Sequence, residues 1–394
     1  MSMIATAAPG LEWGPRDRAA ADDLTVEVAT SFAAAETVWR SLETDAVMSP
    51  YGRFDWVRVF AHEAGDVRIA IVRDTRGEPA LLIPIAVERR LGLSIGGAVG
   101  GRHVNYALPL VRRDLFAHLD AEAASRLLRR IGAALRVDTL ALGNVPVLWE
   151  GSANPFAAEG RPGADDAWAL PLDPDGDATL ARSMSTDARK KLRNKARGLA
   201  KLGTVAILQA STEHEVDLIL DAFLTQKEER FRDLGIADPF AGATMRAALR
   251  QGATARLMEG RPGIELYGLT VDGRVVAVLG AAGDARRLSG MFLSFEAGGE
   301  AARFSPGEIL VTEVIRRQCA SGRTTFDLGV GDARYKRSIC DTREALVDVV
   351  VPVTARGRLY GACLAAATAA KRRIKADPRA MALVGRIRKA TRRG

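Results

Sequence analysis

Between Phe304 and Lys336 the chain reads FSPGEILVTEVIRRQCASGRTTFDLGVGDARYK, and residue types able to hold anions and move protons gather at its two ends. At the first, Ser305 and Glu308 have the S-x-x-E spacing of a capping box and Pro306 falls at the first helical position. Phe304 and Ile309 stand where a hydrophobic staple closes, so a helix is expected to start here. Gly307 serves none of these devices and costs about 1 kcal/mol in a helix relative to alanine, which implies a close approach to the backbone. Free N–H groups at a helix start favour anions, phosphate above all, provided Glu308 turns away into the capping box. At the other end, Gly329, Gly331, Asp332, Tyr335 and Lys336 follow a short apolar strand. Asp327 lies inside that strand, where a carboxylate needs a partner. Plain structural readings stand beside these: a capped core helix, Asp332 in a turn with Gly331, Tyr335 packed, Lys336 solvated.

The elements that would carry these residues occur twice. RIAIVRDTRGEPALLIPIAVERR reads as strand, turn at Asp74 to Gly77, strand and the Arg89-Arg90 pair; IELYGLTVDGRVVAVLGAAGDARR reads as strand, turn at Asp272-Gly273, strand and Arg286-Arg287. Asp74 to Arg89 is 15 residues and Asp272 to Arg286 is 14. LLRRIGAALRVDTLALGN then matches VIRRQCASGRTTFDLGVG, a helix with an Arg pair followed by a strand ending in Leu-Gly. Helical pattern opens each half, around Ala33 to Leu42 and around Glu213 to Leu234. The expectation is a duplicated α/β unit with mixed sheets. Only the second copy has the Ser-Pro-Gly and the Asp/Tyr/Lys cluster.

A chain of 394 residues suits two domains of about 150 residues with tails. With 47% hydrophobic and 26% charged residues the composition is globular, and no apolar run reaches the roughly 18 to 20 residues of a membrane span. A cytoplasmic protein is expected. Cys319, Cys340 and Cys363 and the four histidines, His62, His103, His118 and His214, make no ligand pattern, so neither disulfides nor a zinc site is expected. Cys319, on the late helix, reads as packed core. The net charge of +8 belongs to the tail: residues 371–394 carry ten Lys or Arg against Asp377, leaving the rest close to neutral. A second basic run, Asp187 to Lys201, reads as a helix with Ala188, Leu192, Ala196 and Leu199 on one stripe and Arg189, Lys190, Arg193, Lys195 and Arg197 fanning outward. It is either a solvated face or an attractor of anionic substrate, such as a nucleotide-linked sugar, an acidic glycan or tRNA. Lys227 and Arg230 on FLTQKEERF either line an acceptor cleft or pair with Glu228 and Glu229.

The order S-P-G before a helix and F-D-L-G-x-G-D-x-x-Y-K after a strand, with SPYGRFDW (Ser49 to Trp56), STDARKKLRNKARGLAKLG (Ser185 to Gly203) and FLTQKEERFRDLG (Phe223 to Gly235), resembles the bacterial GNAT-superfamily acyltransferases of the CelD/BcsL, or cellulose-biosynthesis, type. The resemblance spans about Ala33 to Val353. It implies an α/β fold with α+β mixed sheets: a flexible leader at 1–24, a non-catalytic N-terminal GNAT-like domain at 25–150, a linker at 151–178, a catalytic GNAT-like domain at 179–353 and a basic helical tail at 354–394. It further implies acetyl-CoA or a longer acyl-CoA as donor, no metal, and an amine or hydroxyl of a sugar, glycan precursor or other small molecule as acceptor. Fem-type aminoacyltransferases, which use aminoacyl-tRNA on cell-wall precursors, share the two-lobed architecture, and a non-catalytic scaffold is the third reading.

One departure from the wider superfamily is plain: Arg303-Phe304-Ser305-Pro306-Gly307 stands where a Gln/Arg-x-x-Gly-x-Gly/Ala pyrophosphate loop is usual. On the resemblance, Arg303, Ser305, Gly307 and Glu308 hold the donor, Tyr335 protonates the leaving thiolate, Asp332 is the base or acceptor orienter, and Lys336 binds a phosphate or an anionic acceptor. Arg189, Arg193, Lys227 and Arg230 complete the substrate-binding set. The tail from Leu359 reads as an Ala-rich helix, a break at Asp377-Pro378 and a basic amphipathic segment, docked or solvated, or attached peripherally to the anionic inner face of the membrane.

Overall fold

The computed structural model describes residues 23–376, in which two lobes repeat one plan. In the first, the strands Val67–Arg73, Pro79–Arg90 and Leu93–Ala98 form an antiparallel meander, and the helix Ala121–Ala134 returns the chain to Thr139–Pro146, parallel to Leu93–Ala98. In the second, Glu265–Val271, Arg274–Gly283 and Arg287–Phe295 form the meander, the helix Pro306–Ala320 makes the return, and Thr325–Val330 lies parallel to Arg287–Phe295. The turns anticipated at Asp74 to Gly77 and at Asp272-Gly273 close the first hairpin of each lobe, the second with positive φ at both residues (49° and 79°). The long helix Glu213–Leu234 begins with a true capping box at Thr212 and Glu215.

Each lobe lends a strand to the other. Leu346–Pro352, late in the chain, lies antiparallel to Thr139–Pro146 in the first sheet. Ala167–Pro171, from the Pro/Gly-rich connecting segment, lies antiparallel to Thr325–Val330 in the second. Two cores result, one running across both lobes and one beneath Pro306–Ala320, where Cys319 is packed as expected. The helix Ala355–Ala376 covers the last strand; residues 1–22 of the leader and the anticipated break at Asp377-Pro378 with the basic segment after it lie outside the described residues. Among the described residues, no helix is long and apolar enough to cross a membrane.

Candidate active site

In the second lobe the parallel pair holds together for three residue pairs only, Arg287 with Thr325, Leu288 with Phe326 and Ser289 with Asp327. Beyond them the strands part. A bulge opposite Gly280 and Ala281 leaves Met291 unpaired and bends its strand away. Forking frees backbone groups that need partners. Two of them are met by one side chain of the first lobe: Asn105 donates from Nδ2 to Gly290 O (3.0 Å) and accepts at Oδ1 from Val330 N–H (3.3 Å). Its carboxamide stands where an inserted peptide group would. Gly329, at φ 70°, is packed so closely on Asn105 that an added Cβ would lie 2.3 Å from Nδ2.

A buried polar network surrounds the root of the fork. Asp327 is fully buried, accepting at Oδ1 from Ser289 Oγ (2.7 Å) and Gly329 N–H (2.9 Å) and at Oδ2 from Arg287 (3.1 Å). Arg287 also grips Glu344 with both terminal nitrogens (3.0 and 2.8 Å) and lies over the rings of Tyr106 and Trp149. Tyr106 donates to Glu344, while Tyr51 and Ser289 share a hydroxyl contact of 2.8 Å. Burial pushes Asp327 up to about 6, outweighing the Arg287 charge and the hydroxyl donor. Asp327 thus has the partner its position in a strand demanded.

SPYGRFDW reaches this junction from the other lobe. Besides Tyr51, Arg53 donates to the carbonyls of Pro262, Gly283 and Arg261, and Trp56 Nε1 points to Met291 Sδ at 3.5 Å. Of the network, Arg287 had been visible only as half of a repeated Arg pair and Tyr51 only as part of that motif. Asn105, Tyr106, Ser289 and Glu344 carry no local signal; their partners are far away in sequence.

Lys336 joins the fork, and in an unexpected way. Its ammonium is buried and donates to Gly329 O (3.3 Å) and Val330 O (2.8 Å), so it ties down the strand end instead of meeting a phosphate; burial lowers its pKa. Tyr335, on the same short helix Arg334–Ile339, is half-buried against the second core, and burial raises its pKa, keeping the phenol protonated. Asp332 is exposed, in an ion pair with Arg337 (3.3 Å).

The start of Pro306–Ala320 is where the sequence put it, but no capping box forms. Ser305 takes a left-handed conformation (φ 51°, ψ 60°) that turns its hydroxyl away from the helix N–H groups. Lys195 collects the two expected members of the box instead, Ser305 Oγ at 2.7 Å and Glu308 Oε2 at 2.9 Å. Gly307 is close-packed for an internal reason: a Cβ there would stand 3.2 Å from the Phe295 ring. Arg303 is exposed and covers Phe304. Arg189 and Arg193 lie apart from the fork, lining a groove on the outer side of the same helix. Lys227 is half-buried among the rings of Phe223, Phe231 and Phe240 (5.8 to 5.9 Å), which lowers its pKa, while Arg230 is exposed. No group of three or more metal-ligating side chains occurs among the described residues.

This forked second lobe is the part of the chain that a family model matches: residues 186–337 correspond to the acetyltransferase (GNAT) domain. No protein with a curated description matches the sequence. Among solved structures, the chain is similar to FemX, at 11% identity and a TM-score of 0.55 over 83% of this chain and 96% of that one. It is also similar to the C-terminal domain of a protein described as a lysylphosphatidylglycerol synthetase from Agrobacterium fabrum, at 13% identity and a TM-score of 0.53 over 86% and 96%. A protein of unknown function from Bacteroides thetaiotaomicron VPI-5482 gives 10% identity and a TM-score of 0.51 over 82% and 100%. The fold is therefore a mixed α/β one of the GNAT type, and residues 186–337 match the acetyltransferase (GNAT) domain model. The two-lobed plan is shared with these structures over nearly their full lengths.

Proposed function

We propose that the protein transfers an acyl group from acetyl-CoA or a longer acyl-CoA to an amine or hydroxyl of a sugar, glycan precursor or other small acceptor, with the second lobe catalytic. The fork beyond Ser289 and Asp327, inside the segment matched as an acetyltransferase domain, is the observation that supports this reading most. Past the groups that Asn105 and Lys336 hold, the edge of Arg287–Phe295 beyond Gly290 has no strand paired with it on the fork side among the described residues, and an extended, amide-bearing donor binds there as an added strand does. The acceptor's nitrogen or oxygen attacks the thioester carbonyl carbon, the carbon–sulfur bond breaks, and the leaving sulfur takes the phenolic proton of Tyr335; the acceptor's proton passes to solvent or to Asp332, and the tyrosinate regains a proton from solvent. Tyr335 is half-buried on the helix that follows the fork strand and is protonated at neutral pH, as a general acid must be. The CelD/BcsL resemblance of the motifs favours a glycan acceptor.

A second reading, aminoacyl transfer from charged tRNA, is favoured by Asn105, whose carboxamide already meets the fork's first free groups. The basic face of Thr186–Leu199 fits the same reading. Thermal stabilisation by acyl-CoAs at sub-millimolar concentration separates the two, since a ligand at 100 times its Kd adds about 2.7 kcal/mol. A shift supports the first. Absence of any shift, with salt-sensitive tRNA binding, supports the second; failure of both leaves a non-catalytic binding protein.

A further inference from the structure

The groove that holds Arg189 and Arg193 has the composition of a binding site in its own right. It runs between Gly176–Ser183, Thr186–Leu199 and the outer side of Pro306–Ala320, with a cavity of about 380 Å³, within the usual range for small-ligand sites. Its floor is apolar, formed by Leu180, Met184, Leu192, Ala196 and Ile309. Most polar groups at its edge are already committed. Arg316 pairs with Asp177 (2.9 Å) and Glu313 (2.5 Å), and the Thr312 hydroxyl donates to carbonyls of its own helix. The two arginines are not. The exposed side chain of Arg193 has no hydrogen bond or ion pair among the described residues. Arg189 makes one long contact, 3.4 Å to Thr186 Oγ1, and its Nε is buried with no partner. A buried guanidinium N–H without an acceptor is an uncommon cost for a native protein, and the rest of the Arg189 side chain lines the groove with no ion pair.

We infer that this groove binds a small anionic amphiphile, an alkyl chain lying on the apolar floor with a phosphate or carboxylate head held by Arg189 and Arg193. Two guanidinium groups without ion pairs beside an apolar floor complement the charge and the chain of such a molecule. None of the groove's residues belongs to the fork, so the inference stands or falls separately from the proposed transfer reaction.

Isothermal titration of the full chain with dodecyl phosphate, kept below its micellar concentration, tests the inference. Saturable binding is expected, weakened tenfold or more by Arg189→Gln with Arg193→Gln. It should also be weakened by Ala196→Trp, which fills the groove and leaves both arginines in place. Dodecyl maltoside and inorganic phosphate should each bind at least tenfold less tightly. Equal affinity for dodecyl maltoside, or for phosphate alone, would overturn it, as would glutamine variants that bind dodecyl phosphate unchanged. Binding to phosphatidylglycerol vesicles without binding of the monomeric amphiphile would also overturn it, pointing to attraction by the basic helix face.

Discussion

At the scale of single residues, neighbouring titratable groups have come to rest in different surroundings. Tyr335 and Lys336 are adjacent, yet the first keeps a protonated phenol while the second spends its ammonium on two carbonyls. Tyr335→Phe should lower turnover more than donor affinity in steady-state kinetics; unchanged turnover would remove this phenol from the mechanism. Lys336→Met should act on stability instead, costing about 1 to 3 kcal/mol in chemical denaturation because the Gly329 and Val330 carbonyls lose their donor. Asp327 gives a pH signature. Its folded pKa of about 6 exceeds the ordinary value, so the folded state binds more protons than the unfolded one between about pH 4 and 6. Its contribution to stability therefore falls as pH rises through that window and stays lost above it. Relative to Asp327→Asn, the native protein should lose on the order of 2 to 3 kcal/mol across the window. Denaturant titrations at stepped pH would show this; a constant difference would mean that Arg287 offsets the burial.

The element that matters most is the helix Pro306–Ala320 and the way its start is held. A capping serine replaced by alanine costs about 0.5 to 2 kcal/mol. Ser305 does not cap, and Lys195 keeps Glu308 as a partner without it, so Ser305→Ala should change stability by less than about 0.5 kcal/mol, the scale of a partly exposed polar contact. A loss of capping size in thermal unfolding would mean that the hydroxyl does reach the helix N–H groups. The signals for the helix's existence, Pro306 and the apolar pattern after it, were legible in the sequence. The conformation of its first residue was not, because Lys195, which draws Ser305 and Glu308 together, lies more than a hundred residues earlier.

At the scale of the molecule, the exchange of strands makes the lobes interdependent. The first sheet is completed by Leu346–Pro352 and the second by Ala167–Pro171. A chain ending at Ala345 should therefore lose the first lobe as well as its own C-terminus, because Thr139–Pro146 is left with a bare edge and the buried Leu346, Val349 and Val351 are gone. Circular dichroism should show loss of structure well beyond the deleted residues. A first lobe that stays folded in that fragment would show the exchanged strand to be dispensable. The fork is also a property of the assembled molecule: its free groups belong to the second lobe and the side chain that meets them to the first.

The sequence by itself determined the duplication, the first hairpin of each meander and the return helices, because hydrophobic period, turn residues and helix starts are local in origin. Only the tertiary structure decided which strands complete each sheet, that Asn105 meets the fork, and that Asp327 is held by Arg287 and Ser289. It also decided that Lys336 turns inward and that Arg189 keeps an unpartnered nitrogen over an apolar groove. The reason is physical: a buried polar group is satisfied by whatever folding brings within about 3 Å, and that neighbour leaves no mark in the sequence around it.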